Sequence, residues 1–277
     1  MKIIGLKEIQ NVETKMLEQI DQICKNNNIQ YYLRAGSLLG SIRHSGPIPW
    51  DTDIDIEVPI NQYQKFYIAM KKNLQKPYKI YSYKDDKNYS RLFFRMGLDF
   101  SDDRVIHIDI FPMVGLSKYK LLNFIFIKYM KLIQAIYRLK KYSVSNVFQK
   151  RKLLFPLLFI LKLLLFLVPN KVFIFLAYAF FSKKDFLKRK YVVNPFSSYG
   201  SKSIFLTDKY QNTIYNKYLW LSVPIPSGYN EILSQLYGDY NKFPDESYIE
   251  KKTSTSLVIE DEKYLLIQSL INENTED

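Results

Sequence analysis

Residues 34–58 read RAGSLLGSIRHSGPIPWDTDIDIEV, and the rest of the chain is interpreted from this stretch. It ends in three aspartates at alternate positions, Asp51, Asp53 and Asp55. Successive side chains of a strand point to opposite faces, so Asp53 and Asp55 share one face of a predicted strand and the isoleucines beside them share the other. Two carboxylates this close repel each other, which raises the pKa of one of them unless a cation neutralises the pair. Oxygen-rich sites of this kind suit Mg²⁺ or Mn²⁺.

The residues before the aspartates predict a site for an anion. Residues 29–34 indicate a short strand, Gly36 begins the turn that leaves it, and Ser37 is the expected N-cap of a short helix. A helix N-terminus offers backbone N–H groups to an anion, and Arg43 and His44 can donate hydrogen bonds to phosphate oxygens. A solvated loop is the alternative for the glycine–serine turn alone. Acids that alternate with isoleucine on a buried strand, however, are costly without a partner.

The whole segment AGSLLGSIRHSGPIPWDTDIDIEVP resembles the LicD family of phosphocholine transferases, relatives of fukutin and fukutin-related protein within the nucleotidyltransferase superfamily. The family pattern is similar to Leu-Leu-Gly-x-x-Arg-His followed by Ile-Pro-Trp-Asp-Asp-Asp-x-Asp. Thr52 stands at the middle acid of that pattern, so a required metal ligand is not expected there. Residues 223–244, VPIPSGYNEILSQLYGDYNKFP, also resemble a C-terminal pattern of the family. Tyr237 and Tyr240 of this segment fit equally well a structural role in closing a helix end.

A third carboxylate is found in the segment HIDIFP, at Asp109. Residues 91–100 and 104–111 predict a hairpin, and in its second arm Asp109 and His107 share the face opposite the isoleucines. Nucleotidyltransferases need a third carboxylate from a neighbouring strand, and LicD relatives carry a similar Asp-Ile-Phe-Pro segment. The resemblance therefore assigns Asp109 to the metal site. His107 is expected to pack beside this site or to orient a carboxylate, rather than to bind the metal.

Composition indicates a folded chain, because 47% of the 277 residues are hydrophobic and 16% are aromatic. The single cysteine, Cys24, rules out an internal disulfide framework and fits a reducing compartment. One cysteine and two histidines also exclude a Cys/His zinc cluster built within one chain. The first residues contain no long apolar run, so no signal peptide is expected.

The net charge of +13 is concentrated in residues 116–193, which contain 17 Lys and Arg against one acid, Asp185. The longest apolar run in this insert, residues 153–168, is interrupted by Pro156 and Lys162 and is shorter than the roughly 20 apolar residues of a spanning helix. We expect helices that lie in the membrane interface, with lysines on anionic headgroups. The alternatives are a helical subdomain with a basic face and a transmembrane hairpin. The charge is not accompanied by a nucleic-acid-binding motif.

The sequence thus predicts an α/β (α+β) fold, a nucleotidyltransferase-like mixed sheet with flanking helices and a basic helical insert that associates with a membrane. The predicted division is a catalytic core at 1–115, the insert at 116–193, the C-terminal part of the core at 194–250 and a polar tail at 251–277. Apolar periodicity predicts helices at 8–28 and 229–237, the second closed by Gly238, with further helices at 61–74 and 264–271.

The resemblance implies a reaction. A phospho-alcohol group, typically phosphocholine, would pass from a CDP-linked donor to a hydroxyl of a cell-surface glycan such as lipopolysaccharide, teichoic acid or capsule, with CMP as by-product. Asp53, Asp55 and Asp109 would hold Mg²⁺ or Mn²⁺ across the donor's diphosphate. Asp109 would also accept the proton of the acceptor hydroxyl, and Asp51 would bind the metal or orient a ligand. Four further residues are expected to bind the substrate's phosphate oxygens: Gly36, Ser37, Arg43 and His44.

The expected partners are a CDP-linked alcohol, a glycan acceptor carried on a lipid, and an anionic membrane surface. The expected location is the cytoplasm, peripherally on the inner face of the cytoplasmic membrane, and no nucleic acid is expected. The alternatives are a nucleotidyltransferase that transfers an NMP and a non-catalytic, membrane-associated scaffold of the same fold. The acids favour an enzyme, because a scaffold has no need of three unneutralised carboxylates on two strands. Choline, ethanolamine, glycerol and ribitol phosphates would all use the same groups, so the sequence leaves the alcohol open.

Overall fold

The computed structural model describes residues 1–86, 89–99, 106–141, 155–181, 186–253 and 256–272. The turn predicted at residues 101–103 lies outside these ranges, as do residues 142–154 and 182–185 of the predicted insert.

Helices and strands are mixed along the described chain, which confirms the predicted α/β class. The helices are α1 Leu6–Asn26, α2 Ala35–His44, α3 Ile60–Asn73, α4 Lys120–Lys141, α5 Phe155–Phe166, α6 Asn170–Ala179, α7 Tyr229–Tyr237, α8 Glu246–Thr253 and α9 Asp261–Asn272. The strands are β1 Lys2–Gly5, β2 Tyr32–Leu33, β3 Ile54–Pro59, β4 Tyr78–Tyr81, β5 Phe94–Leu98, β6 His107–Leu116, β7 Tyr191–Val193, β8 Ile204–Leu206, β9 Thr213–Tyr218, β10 Leu221–Pro226 and β11 Ser256–Ile259.

The central sheet is mixed, as predicted, in the order β2-β3-β6-β5-β4. Its two middle strands, β3 and β6, are parallel, and the other neighbours are antiparallel. The end of β6 also pairs with β7, which in turn pairs with β8. The predicted hairpin is confirmed as β5 and β6. Residues 29–34 contribute only the two-residue strand β2 to the ladder, so the predicted first strand is shorter than expected.

One face of the central sheet forms the main core. Ile54 and Ile56 of β3 and Ile108 and Ile110 of β6 are at most 1% exposed, as the alternation of acids and isoleucines predicts. Helices α1 and α3 pack against this pair of strands and against each other. Because burial of the isoleucines fixes the register of both strands, it also fixes the opposite face, where the aspartates lie.

The basic insert packs against the core. Met130, Ile133 and Tyr137 of α4 form one buried cluster with Phe93 and Phe111 of the core and with Phe173 and Ala177 of α6. Strand β7, which falls within the predicted 116–193 insert, belongs to the sheet with β6. No single helix among the described residues has the length and apolarity needed to cross a membrane. Residues 158–166 and 170–179 meet those criteria only as a pair, and the pair is bent by 96°.

The predicted polar tail contains ordered elements. β11 pairs antiparallel with β1, at the opposite end of the chain. The apolar helix expected at residues 264–271 is found as α9, and its Ile267 and Leu270 are buried in the main core against the region of α1. The described part of residues 251–277 is therefore attached to the catalytic part of the fold.

Candidate active site

The four predicted catalytic aspartates line one cavity of about 700 Å³. Parallel pairing of β3 with β6 places Asp55 directly opposite Asp109. Asp53 immediately precedes β3, and Asp51 lies two residues earlier in the connecting loop. Two neighbouring strands thus supply acids to the same sheet face, as the alternation of their side chains predicts.

The residues best placed to hold a metal ion are Asp53 and Asp109, which line this cavity, and His107, which lies next to them. Each of them offers one ligand atom, and these atoms all lie within 4.8 Å of one another. His107 Nε2 is 4.0 Å from Asp53 Oδ2 and 3.9 Å from Asp109 Oδ1. Burial lowers the pKa of His107 to about 4, so its imidazole is neutral at pH 7 and has a lone pair for a metal. His107 Nδ1 is buried and accepts or donates no hydrogen bond within the described chain.

Asp55 lies outside that group of three. Its carboxylate Oδ2 is 3.7 Å from Arg34 Nη1, and its backbone N–H donates to Ser37 Oγ at 2.8 Å. The assignment of Asp55 as a metal ligand stays a prediction, with Arg34 as its partner in the metal-free protein.

Burial raises the pKa values of Asp51, Asp53 and Asp55, and repulsion from neighbouring acids adds to this effect for Asp53 and Asp55. Burial, followed by repulsion from Asp51 and Asp109, raises the pKa of Asp53 to about 7. Burial and the Asp53 charge also raise the pKa of Asp55, although Arg34 acts in the opposite direction. The pKa of Asp51 is raised by burial as well. Closely spaced, poorly solvated carboxylates gain free energy when a divalent cation binds beside them.

Arg34 is a functional residue that sequence reasoning missed. Its buried guanidinium reaches Asp55, lies 3.6 Å through Nε from Glu57 Oε2, and donates through Nη2 to Ser197 Oγ at 2.7 Å. The guanidinium also stands 5.1 Å from the centre of the Phe111 ring. Glu57 lies two residues after Asp55 on β3, and this buried acid is the sequence signal that calls for a nearby cation.

Arg95 was also missed, although it lies in the predicted hairpin. It is paired with Asp109 across β5 and β6, and its Nε donates to Asp109 Oδ1 at 2.5 Å. Arg95 is only 2% exposed. An arginine in the buried strand FRMGL was the available signal, since arginine is almost never fully buried without a partner.

The turn that precedes α2 is built differently from the prediction. The N-cap is Arg34, with φ −133° and ψ 153°, so the predicted cap at Ser37 is wrong. Ser37 lies inside the first turn, where its hydroxyl is occupied by the Asp55 N–H. Gly36 is needed for another reason, because a Cβ at this position would collide with Asp51 Oδ2. Gly36 and Ser37 both line the cavity.

Arg43 and His44, two of the predicted phosphate ligands, lie in the last turn of α2, and of these two Arg43 lines the cavity. Its guanidinium donates to the Tyr240 carbonyl at 2.9 Å and to His44 Nε2 at 3.0 Å, and it lies 4.6 Å from the centre of the Phe243 ring. His44 is not among the described residues that line the cavity. Its ring is edge-on to Trp50 and Phe243, and burial lowers its pKa. His44 therefore contacts Arg43, and of these two residues only Arg43 lines the cavity.

The C-terminal segment forms the opposite wall. Tyr237, Asp239, Tyr240 and Phe243 line the cavity, and the Tyr199 hydroxyl donates to Tyr237 at 2.8 Å. Helix α7 ends at Tyr237, and its C-cap is Gly238 with φ 74°, as predicted. The remaining wall residues that the sequence did not indicate include Arg91, Phe93, Arg138, Phe196, Ser197, Tyr199, Tyr248 and Lys252.

The chain is similar in sequence to known proteins. Residues 28–157 match the family model described as "LicD/FKTN/FKRP, nucleotidyltransferase domain". Over 260 residues the chain is 28% identical to the lipopolysaccharide cholinephosphotransferase LicD of Haemophilus influenzae. The aligned region covers 89% of this chain and 95% of that protein. The chain is thus similar to the LicD family through residues 28–157 and to its Haemophilus member through most of its length. Shorter matches of 44 residues at 39% identity relate it to uncharacterized proteins of Rickettsia prowazekii and Rickettsia typhi, across 16% of this chain and 16% and 14% of theirs.

The LicD match coincides with the site. Its residues 28–157 contain the four aspartates, Arg34, Arg43, Arg95 and His107, together with helix α4 of the insert. The wall from Phe196 to Phe243 lies beyond the domain match but within a chain that is similar to the Haemophilus protein over most of its length.

Proposed function

We propose that this protein is a metal-dependent phosphotransferase of the LicD family. It moves a phospho-alcohol group, of the phosphocholine type, from a CDP-linked donor to a hydroxyl of a cell-surface glycan. The proposal is carried by one observation: Asp53, His107 and Asp109 offer ligand atoms within 4.8 Å of one another, and both aspartates line a cavity that Arg43 also lines. Similarity to a lipopolysaccharide cholinephosphotransferase supports lipopolysaccharide as the first acceptor to test, with teichoic acid and capsule after it.

The donor set fits a divalent cation. Asp53, His107 and Asp109 would hold it, with Asp55 next to them on β3. A bound Mg²⁺ or Mn²⁺ would supply positive charge to the donor's diphosphate and to the departing CMP. The raised pKa of Asp53 supports this assignment, because it reports negative charge that the protein itself does not neutralise.

The chain's own side chains would bind and orient the reactants. Arg43 and the N-terminal turn of α2, at Gly36 and Ser37, are positioned on the cavity wall to hold phosphate oxygens. The acceptor oxygen attacks the phosphorus of the phospho-alcohol group, the phosphoanhydride bond breaks, and CMP leaves. Asp109 takes the hydroxyl proton. The hydrogen bond from Arg95 holds the Asp109 carboxylate in place. Asp51 packs against Gly36 and would fix the loop that carries Asp53.

The cavity walls are consistent with choline as the alcohol. A quaternary ammonium is attracted to the faces of aromatic rings when it is withdrawn from water. Aromatic residues occur on several sides of the cavity: Trp50, Phe93, Phe111, Phe196, Tyr199, Tyr237, Tyr240, Phe243 and Tyr248. Ethanolamine, glycerol and ribitol phosphates would gain less from such walls, so we propose phosphocholine as the preferred group.

The test is CMP release by the purified protein, with Mg²⁺ or Mn²⁺, from a panel of CDP-alcohols in the presence of lipopolysaccharide. We expect CMP from CDP-choline first, and none from D53N. Release of the alcohol phosphate (phosphocholine from CDP-choline) in place of CMP would instead identify transfer of an NMP, which the nucleotidyltransferase description of the domain keeps as the second candidate. Absence of CMP from every donor, with folded protein and metal bound, would overturn the proposal.

A further inference from the structure

Two arginines of the cavity have no acidic partner in the part of the chain that the structure describes. Arg91 lies just before β5, and Arg138 comes from α4 of the insert. Both line the main cavity, and both line a second, much smaller cavity next to it together with Phe93, Tyr137 and Phe196. Neither forms an ion pair within the described ranges, although Arg91 is half-buried and Arg138 is exposed, whereas the buried arginines of the site do: Arg34 pairs with Asp55 and Glu57, and Arg95 with Asp109.

Of the two arginines, Arg91 gives the stronger evidence for a bound anion. Its Nε is buried and has no hydrogen-bond partner among the residues that the structure describes. A buried donor without a partner destabilises the fold, and more so when the group is charged. Two guanidinium groups on the wall of one small cavity also repel each other. An oxyanion between them would relieve both costs, since arginine presents a planar fork of donors that matches phosphate oxygens.

We propose that Arg91 and Arg138 form an anion-binding site that receives a phosphate group of a substrate, separate from the group held by Arg43. Helix α4 thereby completes the cavity, in addition to any contact that the insert makes elsewhere. Which substrate carries the phosphate rests on the proposed function: it is either the CDP-linked donor or a phosphate on the glycan acceptor. The existence of the anion site does not rest on it.

The decisive experiment measures binding of inorganic pyrophosphate by calorimetry in EDTA, so that no metal directs the probe to the aspartates. We expect R91Q and R138Q each to weaken binding at least tenfold, and R91K, which retains the charge, to weaken it less. The matched control is K128Q, because Lys128 is an exposed basic residue of α4 outside the cavity wall. Melting temperatures verify that each variant is folded. Equal affinity of wild type, R91Q and R138Q would overturn the site.

Kinetics then identify the source of the phosphate. A higher KM for CDP-choline in R138Q, with the KM for lipopolysaccharide unchanged, assigns the site to the donor. The reverse pattern assigns it to the acceptor. If wild type turns over no CDP-alcohol, the proposed reaction fails, while the pyrophosphate result still decides whether the anion site exists.

A second, independent observation concerns the outer surface of the insert. Helices α4, α5 and α6 pack together, yet large apolar side chains on them and on the segment that joins α5 to α6 remain exposed. We call the following six the apolar patch: Leu121 (70% exposed), Leu132 (57%), Phe166 (79%), Leu167 (78%), Phe175 (69%) and Phe180 (67%). Single exposed apolar side chains are ordinary, whereas several large ones on helices that pack together indicate an interaction surface.

The charges around the apolar patch identify the partner. The described residues 120–141, 155–181 and 186–193 contain lysines and arginines and not one Asp or Glu. A second copy of this chain would bring like charges together, whereas anionic lipid headgroups are complementary to them, at about 1 kcal/mol for each basic residue near the surface. We infer that the apolar patch docks on an anionic bilayer, with the inner face of the cytoplasmic membrane as the site of action. The 96° bend between residues 158–166 and 170–179 suits helices that lie along a surface.

Flotation with vesicles tests the docking surface. We expect wild type to float with vesicles that contain about a third phosphatidylglycerol and to be released by F166E/L167E. The matched control is I68E, because Ile68 is an apolar residue of α3 that is 55% exposed outside the insert. High salt should weaken binding without abolishing it, since the apolar contact is not screened. Unchanged flotation of F166E/L167E would contradict the proposal, and so would a wild-type dimer that this variant converts to monomer.

Discussion

Arg95 and Asp109 face each other across β5 and β6, and Arg95 Nε donates to Asp109 Oδ1 at 2.5 Å. Both side chains are at most 10% exposed. Loss of one partner from a buried pair leaves the other charge without compensation, at a cost of roughly 3–5 kcal/mol. R95M is therefore expected to lower the free energy of unfolding by about that amount. The double variant R95M/D109L should recover most of the lost free energy of unfolding, because two apolar residues leave no unpaired charge at these two positions. Urea denaturation measures both, and strictly additive losses would contradict this interpretation.

The charge on Asp53 makes the stability of the metal-free protein depend on pH. The pKa of Asp53 is raised to about 7 in the folded chain, from roughly 3.9 in an unfolded one. The folded state therefore holds this proton more tightly, and the stability that it contributes at low pH is lost as the pH rises from about 4 through about 7. We expect the melting temperature in EDTA to fall over that interval and to fall less in D53N.

The effect of a divalent metal on the melting temperature is the complementary measurement. At pH 8, Mg²⁺ or Mn²⁺ should raise the melting temperature of the wild type, because the cation binds the folded state. D53N should start from a higher melting temperature in EDTA and show a smaller rise. An equal rise in both proteins would exclude Asp53 as a ligand.

The acids of this site were predictable because the information is local. Asp53 and Asp55 alternate with isoleucines that are buried in the sheet core, so the strand period fixes their face. The family pattern added Asp109, and the parallel register of β3 and β6 places it opposite Asp55. Strand, turn and helix in residues 29–44 are continuous in sequence and are found in the predicted order, although the strand is shorter than expected and the cap position was wrong.

The hydrogen-bond partners of Glu57 and Arg34 were not predictable to the same extent, because they come from distant segments. Tyr210 donates to Glu57 at 2.7 Å across a separation of 153 residues, and Arg34 reaches Ser197 across 163. No period or spacing connects such positions. The contribution of Arg138 was hidden for another reason: the composition of the insert predicted membrane contact, and it did not indicate that one face of α4 packs on the core.

Gly36 permits the close approach of Asp51 to α2. A Cβ at position 36 would collide with Asp51 Oδ2, so G36A should displace that carboxylate and reduce CMP release at least tenfold. G5A is the matched control, since a Cβ at Gly5 meets its nearest atom at an ordinary 3.7 Å. The double variant G36A/D51A removes the collision. It should recover the melting temperature without recovering activity. Full activity of G36A would show that the position of Asp51 does not matter for the reaction.

His107 distinguishes the metal site of the structure from the one that the sequence predicts. The sequence leads us to expect a packing or orienting residue, whereas the structure places His107 Nε2 about equally far from Asp53 and Asp109. A neutral imidazole at that position can serve as a third ligand. H107F should then weaken Mn²⁺ binding by tenfold or more, a loss comparable to that seen when groups around a metal are removed. The amount of free Mn²⁺, followed by electron paramagnetic resonance, gives this affinity without any need for turnover. H107Q, which keeps a polar side chain of similar length, should lose less. Unchanged Mn²⁺ affinity in H107F would reduce His107 to the packing role and return the third ligand position to Asp55.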